Sequence, residues 1–390
     1  GGGRRARAVR RRAVGDPLHR LVDRARPAAA PAACASASTR SAAARSGLYT
    51  RSDRSWPTRF LLLVLILVLF PGCYYGHLAQ GQARLLAARQ PVDEVVAAPD
   101  TSPELKAQLS AIRRSRDYAR QIGLTVKSQY TDYVAWPHDR IITSLVVTQP
   151  GSVEPYPFSY PFVGELPYKG FFDHDRAETE AESFRQKGFD VCLLPVPAYS
   201  TLGFFADPIT DPMLRGGEGP AVETVLHEFV HATVFVDGDA DLNESSASFI
   251  GEEASVLFFA PDPEKAAQRR TQVDEKRKVR GRLLEFRQQV AALYADSEEP
   301  PSPATREALE TGFRDSIRAL DLTTRDPEKL AQSLRLNDAC LAIAGTYSAD
   351  LPEHQRLFRS MDGDLPAYVE RLKASAQEED PRTKFFSLSP

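Results

Sequence analysis

Apolar and polar positions change period several times along the chain, and those changes outline its elements. From Tyr74 to Arg89 the apolar residues recur at helical spacing, and Pro91 ends the run. Ser102-Pro103-Glu104 opens a second helix reaching about Ile122, with Leu105, Leu109, Ile112 and Tyr118 or Ala119 near one face and Gly123 closing it. Residues 124–196 read differently. Val126, Tyr130, Tyr133 and Val134 precede a β-branched run from Ile141 to Val147, which predicts strands, with Pro137-His138-Asp139-Arg140 as a hairpin turn between them. A helix over Asp173–Lys187 is stopped by Gly188, and Phe189–Val196 reads as a short buried strand. A Pro- and Gly-rich loop follows from Pro197 to Pro220. Helical patterns then occupy about 221–236, 243–259, 263–294, 303–321, 327–344 and 364–376, with Glu298–Pro303 as a linker. A small β-containing N-terminal half and a mainly helical C-terminal half make an α+β fold.

Composition separates the first 72 residues from the rest. Residues 1–59 hold fourteen arginines and three acids, with much Ala, Ser and Pro and almost no apolar periodicity, so they are expected to be disordered. The chain starts with Gly and its methionines are Met213 and Met361, so residues 1–50 are expected to be upstream translation or an unprocessed leader. A basic nucleic-acid-binding arm is the competing reading. Only Tyr49 and Trp56 lie among these arginines, too few to interleave them as stacking partners would.

Phe60–Phe70 is an apolar run of eleven residues, about 16 Å as a helix against a bilayer core of about 30 Å. Basic flank, apolar run and Pro71-Gly72-Cys73 together read as the signal of a bacterial lipoprotein, with 60–72 removed and Cys73 acylated. An uncleaved anchor or a plain signal peptide is the alternative. Cleavage leaves residues 73–390 as a single domain with 35 basic and 49 acidic residues, a net charge of −14, which disfavours nucleic acid as a partner. Cys192 and Cys340 then remain, either as a disulfide or as two buried thiols.

The candidate chemistry is His227-Glu228-Phe229-Val230-His231. Histidines four apart share a helix face and present two imidazoles to one metal ion, while Glu228 flanks the metal, free to act as a base. Val222, Val225, Leu226, Phe229 and Val230 make this helix apolar, and two histidines and a glutamate in such surroundings are costly without a metal. Gly238 breaks the helix, and Glu244, in the first turn of the next, is the candidate third ligand, which leaves one position open for water. The expected ion is Zn2+. Glu252 and Glu253 compete as third ligand, and Glu252 is also a candidate partner behind His227 or His231. His77, His138 and His174 have no spacing argument and are expected to play ordinary polar roles.

HEFVH followed by Asn243-Glu244 resembles the gluzincins, the thermolysin-like and alanyl-aminopeptidase-like zinc peptidases, although His231 and Glu244 are closer together here and the Gly-x-Met-Glu-Asn amine-binding motif is absent. The chain also resembles the family of bacterial aminopeptidase lipoproteins from about Phe60 to its last helices. The matching pieces include Gly72-Cys73-Tyr74, Ala87–Pro91, Pro161–Gly164, Pro167–Phe172, Gly188–Val191, Ala198–Phe204 and Asn337–Ala339; Phe171, Phe204 and Asp338 depart from the pattern. The resemblance implies a zincin-like fold and a zinc aminopeptidase acting on peptides, tethered to a bacterial cell envelope by a lipid on Cys73 and facing the periplasm. Gluzincins take an oxyanion donor from a later helical segment, and Tyr347 is the candidate by position, with a plain helix-end tyrosine as the alternative. Tyr199–Gly203 is a candidate strand for pairing with substrate backbone, and Glu218 a candidate amine-binding carboxylate. A zinc endopeptidase and a non-catalytic lipoprotein module stapled by metal are the competing functions.

Overall fold

The computed structural model describes residues 74–160, 164–198, 206–295, 302–346 and 350–387. Cys73, Tyr199–Gly203 and Tyr347 therefore lie outside the described residues. In chain order the elements are α1 (Tyr74–Ala87), β1 (Gln90–Pro91), α2 (Val92–Ala97), α3 (Pro103–Gln121), β2 (Asp132–Val134), β3 (Ile142–Thr148), β4 (Phe158–Tyr160), β5 (Gly164–Leu166), β6 (Lys169–Phe171), α4 (His174–Arg185), β7 (Asp190–Val196), β8 (Ile209–Thr210), α5 (Asp211–Leu214), α6 (Glu218–Thr233), α7 (Ala240–Phe258), α8 (Pro263–Ala295), α9 (Pro303–Arg318), α10 (Pro327–Ser333), α11 (Asp338–Thr346), α12 (Leu351–Ser360), α13 (Leu365–Ser375) and α14 (Pro381–Phe386). The fold is α+β, mostly helical with small sheets.

Strand β3 is the centre of the larger sheet, antiparallel to both β6 and β7. All seven of its residues are buried, because both faces are covered. Leu145 and Val147 pack with Ala177 and Ala181 of α4, while Val146 packs with Cys192, Ala339, Cys340 and Ala342 on the other side. A disulfide joins Cys192 to Cys340 across that second interface, 148 residues apart in sequence. The predicted hairpin over Pro137–Arg140 does not form. Strand β2 pairs instead with β1 and, in parallel, with β8, so the segment carries the chain from one sheet to another. Its ends are held by different partners: Trp136 N–H donates to Asp211 and Ile141 N–H to the Val196 carbonyl.

The predicted helix over 327–344 is two helices. Arg335 reaches the Leu193 carbonyl, and Asn337 donates to the Val191 carbonyl while accepting from Cys340 N–H, so residues between them leave the helix to run beside β7. Helices α12 and α14 have no counterpart in the sequence reading. They pack with α3, α6, α7 and α13 around the main core, which includes Leu109, Ile112, Leu226, Phe229, Phe249, Leu357, Tyr368 and Phe385. A second core joins α8, α9 and α10 through Phe286, Val290, Phe313, Ile317 and Ala331.

Candidate metal centre

Helix α6 buries Val222, Val225, Leu226, Phe229 and Val230 against the main core, and this same pattern turns His227 and His231 to its other face. Thr233 is its last residue. Val234 is extended, and the chain reverses into α7 within six residues. Asn243 holds this tight turn: its Oδ1 accepts from Val236 N–H at 2.8 Å and its Nδ2 donates to the Val236 carbonyl at 2.7 Å. Asp239 caps α7, accepting from Leu242 N–H at 3.0 Å. With the turn fixed at both ends, Glu244 is delivered to the histidines.

The three side chains converge. His227 Nε2 and His231 Nε2 are 3.0 Å apart, Glu244 Oε2 is 3.4 Å from His227 Nε2, and Glu244 Oε1 is 3.6 Å from His231 Nε2. Tetrahedral zinc with ligand bonds of about 2.0–2.2 Å places its ligand atoms roughly 3.3–3.6 Å from one another. The two His–Glu distances fall within that range and the His227–His231 distance lies below it, and this is the one group of three or more His, Cys, Asp or Glu among the described residues arranged to hold a metal. The His231 side chain is 8% exposed, against 18% for His227 and 22% for Glu244, so the open side lies towards the last two.

Electrostatics point the same way. Burial opposes ionisation of Glu244, yet hydrogen bonding and charge from both histidines hold its carboxyl well below the usual range. Burial likewise opposes a charged His231, but Glu244 and then Glu228 reverse this and raise it. Such a field favours positive charge at the centre of the triangle. Glu228 Oε2 is buried with no hydrogen-bond partner among the described residues. An unpartnered buried carboxylate oxygen calls for an explanation, and a group that exchanges protons is one such explanation. Burial, then the charges of Glu228 and Asp207, push the phenol of Tyr130 well up, and its backbone is left-handed with φ 59°.

A family described as "Putative aminopeptidase" matches residues 73–385. The chain belongs to that family. Searches of curated proteins and of solved structures gave no match. In this aminopeptidase-family chain several sequence candidates stand apart from the triangle. Glu252 is not behind either histidine: its oxygens are taken by Arg277 Nε at 2.8 Å and Arg280 Nη1 at 2.6 Å, with Lys276 at 3.3 Å. Eight residues carry it about 80° around the helix from Glu244, towards α8. Glu253 is held by Arg270 and Arg277, and Glu218 by Lys265. His77 is buried and accepts from Phe172 N–H, an ordinary polar role.

Sequence reasoning missed Gly251. It is seven residues after Glu244, two turns along the same face, and Ala247 and Ser248 lie between them on it. This run of small residues lets α7 settle against α6. Its signal was present in the sequence as a spacing of small residues, but its partner was not.

Proposed function

We propose that this protein is a zinc-dependent peptidase of zincin-like fold, with His227, His231 and Glu244 as metal ligands and Glu228 as general base. The observation that carries the reading is the triangle of ligand atoms at 3.0, 3.4 and 3.6 Å with the unpartnered Glu228 oxygen beside it. When bound, zinc supplies Lewis acidity that brings water ionisation towards neutral pH and polarises a peptide carbonyl. Glu228 then accepts the proton of the attacking water and passes it to the leaving amine, which preserves its own charge over the cycle. Helices α6 and α7 hold the acidic and imidazole groups in place, and the exposed edges of His227 and Glu244 leave an approach for an extended peptide. Tyr347 is the candidate donor to the oxyanion.

The family supports action at peptide N-termini, and a match that begins at residue 73 supports a chain whose mature form starts at a lipid-bearing Cys73. The Cys192–Cys340 disulfide supports an oxidising compartment, which fits a periplasm-facing site on the bacterial envelope. Among the described residues no helix is long and apolar enough to cross a membrane; in this reading the tether is the lipid on Cys73.

The test is zinc quantification on residues 74–390 together with hydrolysis of peptides bearing free or acetylated N-termini. One equivalent of zinc and cleavage restricted to free N-termini is the expected result. Cleavage of both peptide sets makes the protein an endopeptidase. Full activity in Glu228→Gln removes the assigned base, and zinc without turnover on any peptide leaves a metal-stapled binding module.

A further inference from the structure

Ser245, next to the ligand Glu244, turns its side chain away from the metal triangle into a buried polar chain contributed by the last 41 residues of the sequence. Its hydroxyl donates to Asp350 Oδ2 at 3.1 Å and lies 3.0 Å from His354 Nε2. With that proton committed, the Ser245 oxygen accepts from His354 Nε2–H, which leaves His354 Nδ1 to accept from the Tyr368 hydroxyl at 2.7 Å. Ser245, His354 and Tyr368 are almost wholly shielded from water.

The far end of this chain is Arg382 of α14. Its Nη1 donates to both oxygens of Asp350 at 2.7 Å. Its Nε and Nη2 donate to the two oxygens of Asp239 at 2.9 and 2.8 Å. Asp239 is the residue that caps α7, and Asp350 is the residue that fixes Ser245. One guanidinium thus grips the start of the third-ligand helix at two points, on either side of Glu244 in sequence. A planar fork with five donors can satisfy two carboxylates at once, and the single ammonium of lysine cannot reproduce that geometry.

We propose that Arg382 is a positioning residue for the metal centre: through Asp239 and through Asp350–Ser245 it sets where Glu244 stands relative to His227 and His231, so that the C-terminal helix α14 governs metal affinity. The proposal rests on the three-ligand reading above. Removing a partner that orients a metal ligand costs about 10- to 100-fold in affinity. The effect of Arg382 passes through Glu244 alone, so it disappears once Glu244 is gone. A helix that merely adds stability acts equally in both backgrounds.

The experiment is a set of Zn2+ dissociation constants, by competition with a chromophoric chelator, for the full chain, Arg382→Gln, Arg382→Lys, Glu244→Ala and the Glu244→Ala/Arg382→Gln double variant. Circular dichroism on each confirms a folded chain. Arg382→Gln is expected to weaken zinc binding by about 10- to 100-fold in the native background and by less than about twofold beside Glu244→Ala. If Arg382→Gln does not fold, Arg382→Lys, which keeps the charge and loses the fork, is measured alone and beside Glu244→Ala and gives the same comparison. An unchanged affinity, or an equal loss in both backgrounds, overturns the role of Arg382 while leaving the ligand set standing. An unchanged affinity in Glu244→Ala instead removes the ligand set, and the proposal falls with it.

Discussion

A Cβ placed on Gly251 stands 3.2 Å from both the Cβ and the backbone nitrogen of His227, and 3.1 Å from the Glu223 carbonyl oxygen. Helix α7 touches α6 here backbone to backbone, at the first zinc-ligand candidate. Contacts this close leave no room for a methyl group without separating the helices by a few tenths of an ångström. Gly251→Ala is expected to cost about 1–3 kcal/mol of stability as an overpacked contact. Gly251→Val is expected to cost more and to weaken zinc binding as well, because Glu244 moves with α7. Denaturant titration and zinc competition on both variants check this. Unaltered zinc affinity in a folded Gly251→Val chain means that the spacing of the two helices does not set the ligand triangle.

Asn243 makes two hydrogen bonds to one backbone residue, and both are buried. Asn243→Asp keeps the acceptor for Val236 N–H but replaces the donor with a second oxygen facing the Val236 carbonyl. Asn243→Ala removes both bonds and leaves a buried N–H and C=O without partners, at about 1–3 kcal/mol each. Both variants are expected to be destabilised, with Asn243→Asp regaining stability at acidic pH as its carboxyl protonates and supplies a donor. An Asp variant whose stability falls in step with the parent chain on acidification contradicts this account of the turn.

Much of the candidate site was legible because it is local. Two histidines four apart declare a shared helix face, and Glu244, in the first turn of a helix expected to turn back, was favoured as third member over Glu252 and Glu253. What lies behind them was not legible. Gly251 reads as an ordinary helix glycine until its contact with His227 is seen, and Arg382 reads as a surface charge 143 residues from the Asp239 cap that it holds. Strands β2 and β3 were placed nearly correctly, but their pairing was not, since short strands in different sheets look the same as a hairpin. Helix α12 went unread because its inward face carries His354 among Leu351 and Leu357, a polar group whose partners, Ser245 and Tyr368, come from distant segments. Periodicity thus exposed α6, α7, β2 and β3 and concealed their neighbours, while α12 was not exposed at all.

Glu252 is almost fully buried and answers three cations of α8. Burial opposes its charge, and Arg280, Lys276 and Arg277 overcome this and hold its carboxyl below the usual range. Removing Glu252 takes from Arg280 the carboxylate it is paired with and leaves Arg277 to Glu253 and Lys276 to Glu223, an excess of buried positive charge. Glu252→Ala is expected to lose about 3–5 kcal/mol of stability with zinc affinity in the surviving folded protein unchanged. Equilibrium unfolding and zinc competition on the same preparation separate the two effects. A selective loss of zinc with full stability returns Glu252 to the role of metal-site partner.

His354 gives a pH dependence with a definite sign. Burial, followed by the nearby charges of Arg277 and Arg382, brings its imidazole down to about 3, against about 6.5 in an unfolded chain. Above pH of about 6.5 both states are neutral at this residue and its contribution to stability is fully present. Between about 6.5 and 3 the unfolded chain takes up a proton that the native chain refuses, so stability falls as pH falls, by up to about 1.4 kcal/mol per pH unit. Below about 3 the native imidazole protonates too and the loss from this group ends. His354→Gln keeps a side chain able to donate to Ser245 but cannot titrate. Its stability at pH 7.5 is expected to be lower than that of the parent. Its slope against pH from 6.5 to 4 is expected to be shallower by close to one proton, measured by urea unfolding of metal-free protein with a chelator present. Parallel slopes for the two proteins show that His354 takes up its proton in the folded state over the same range, which is incompatible with an imidazole sealed between Ser245 and Tyr368.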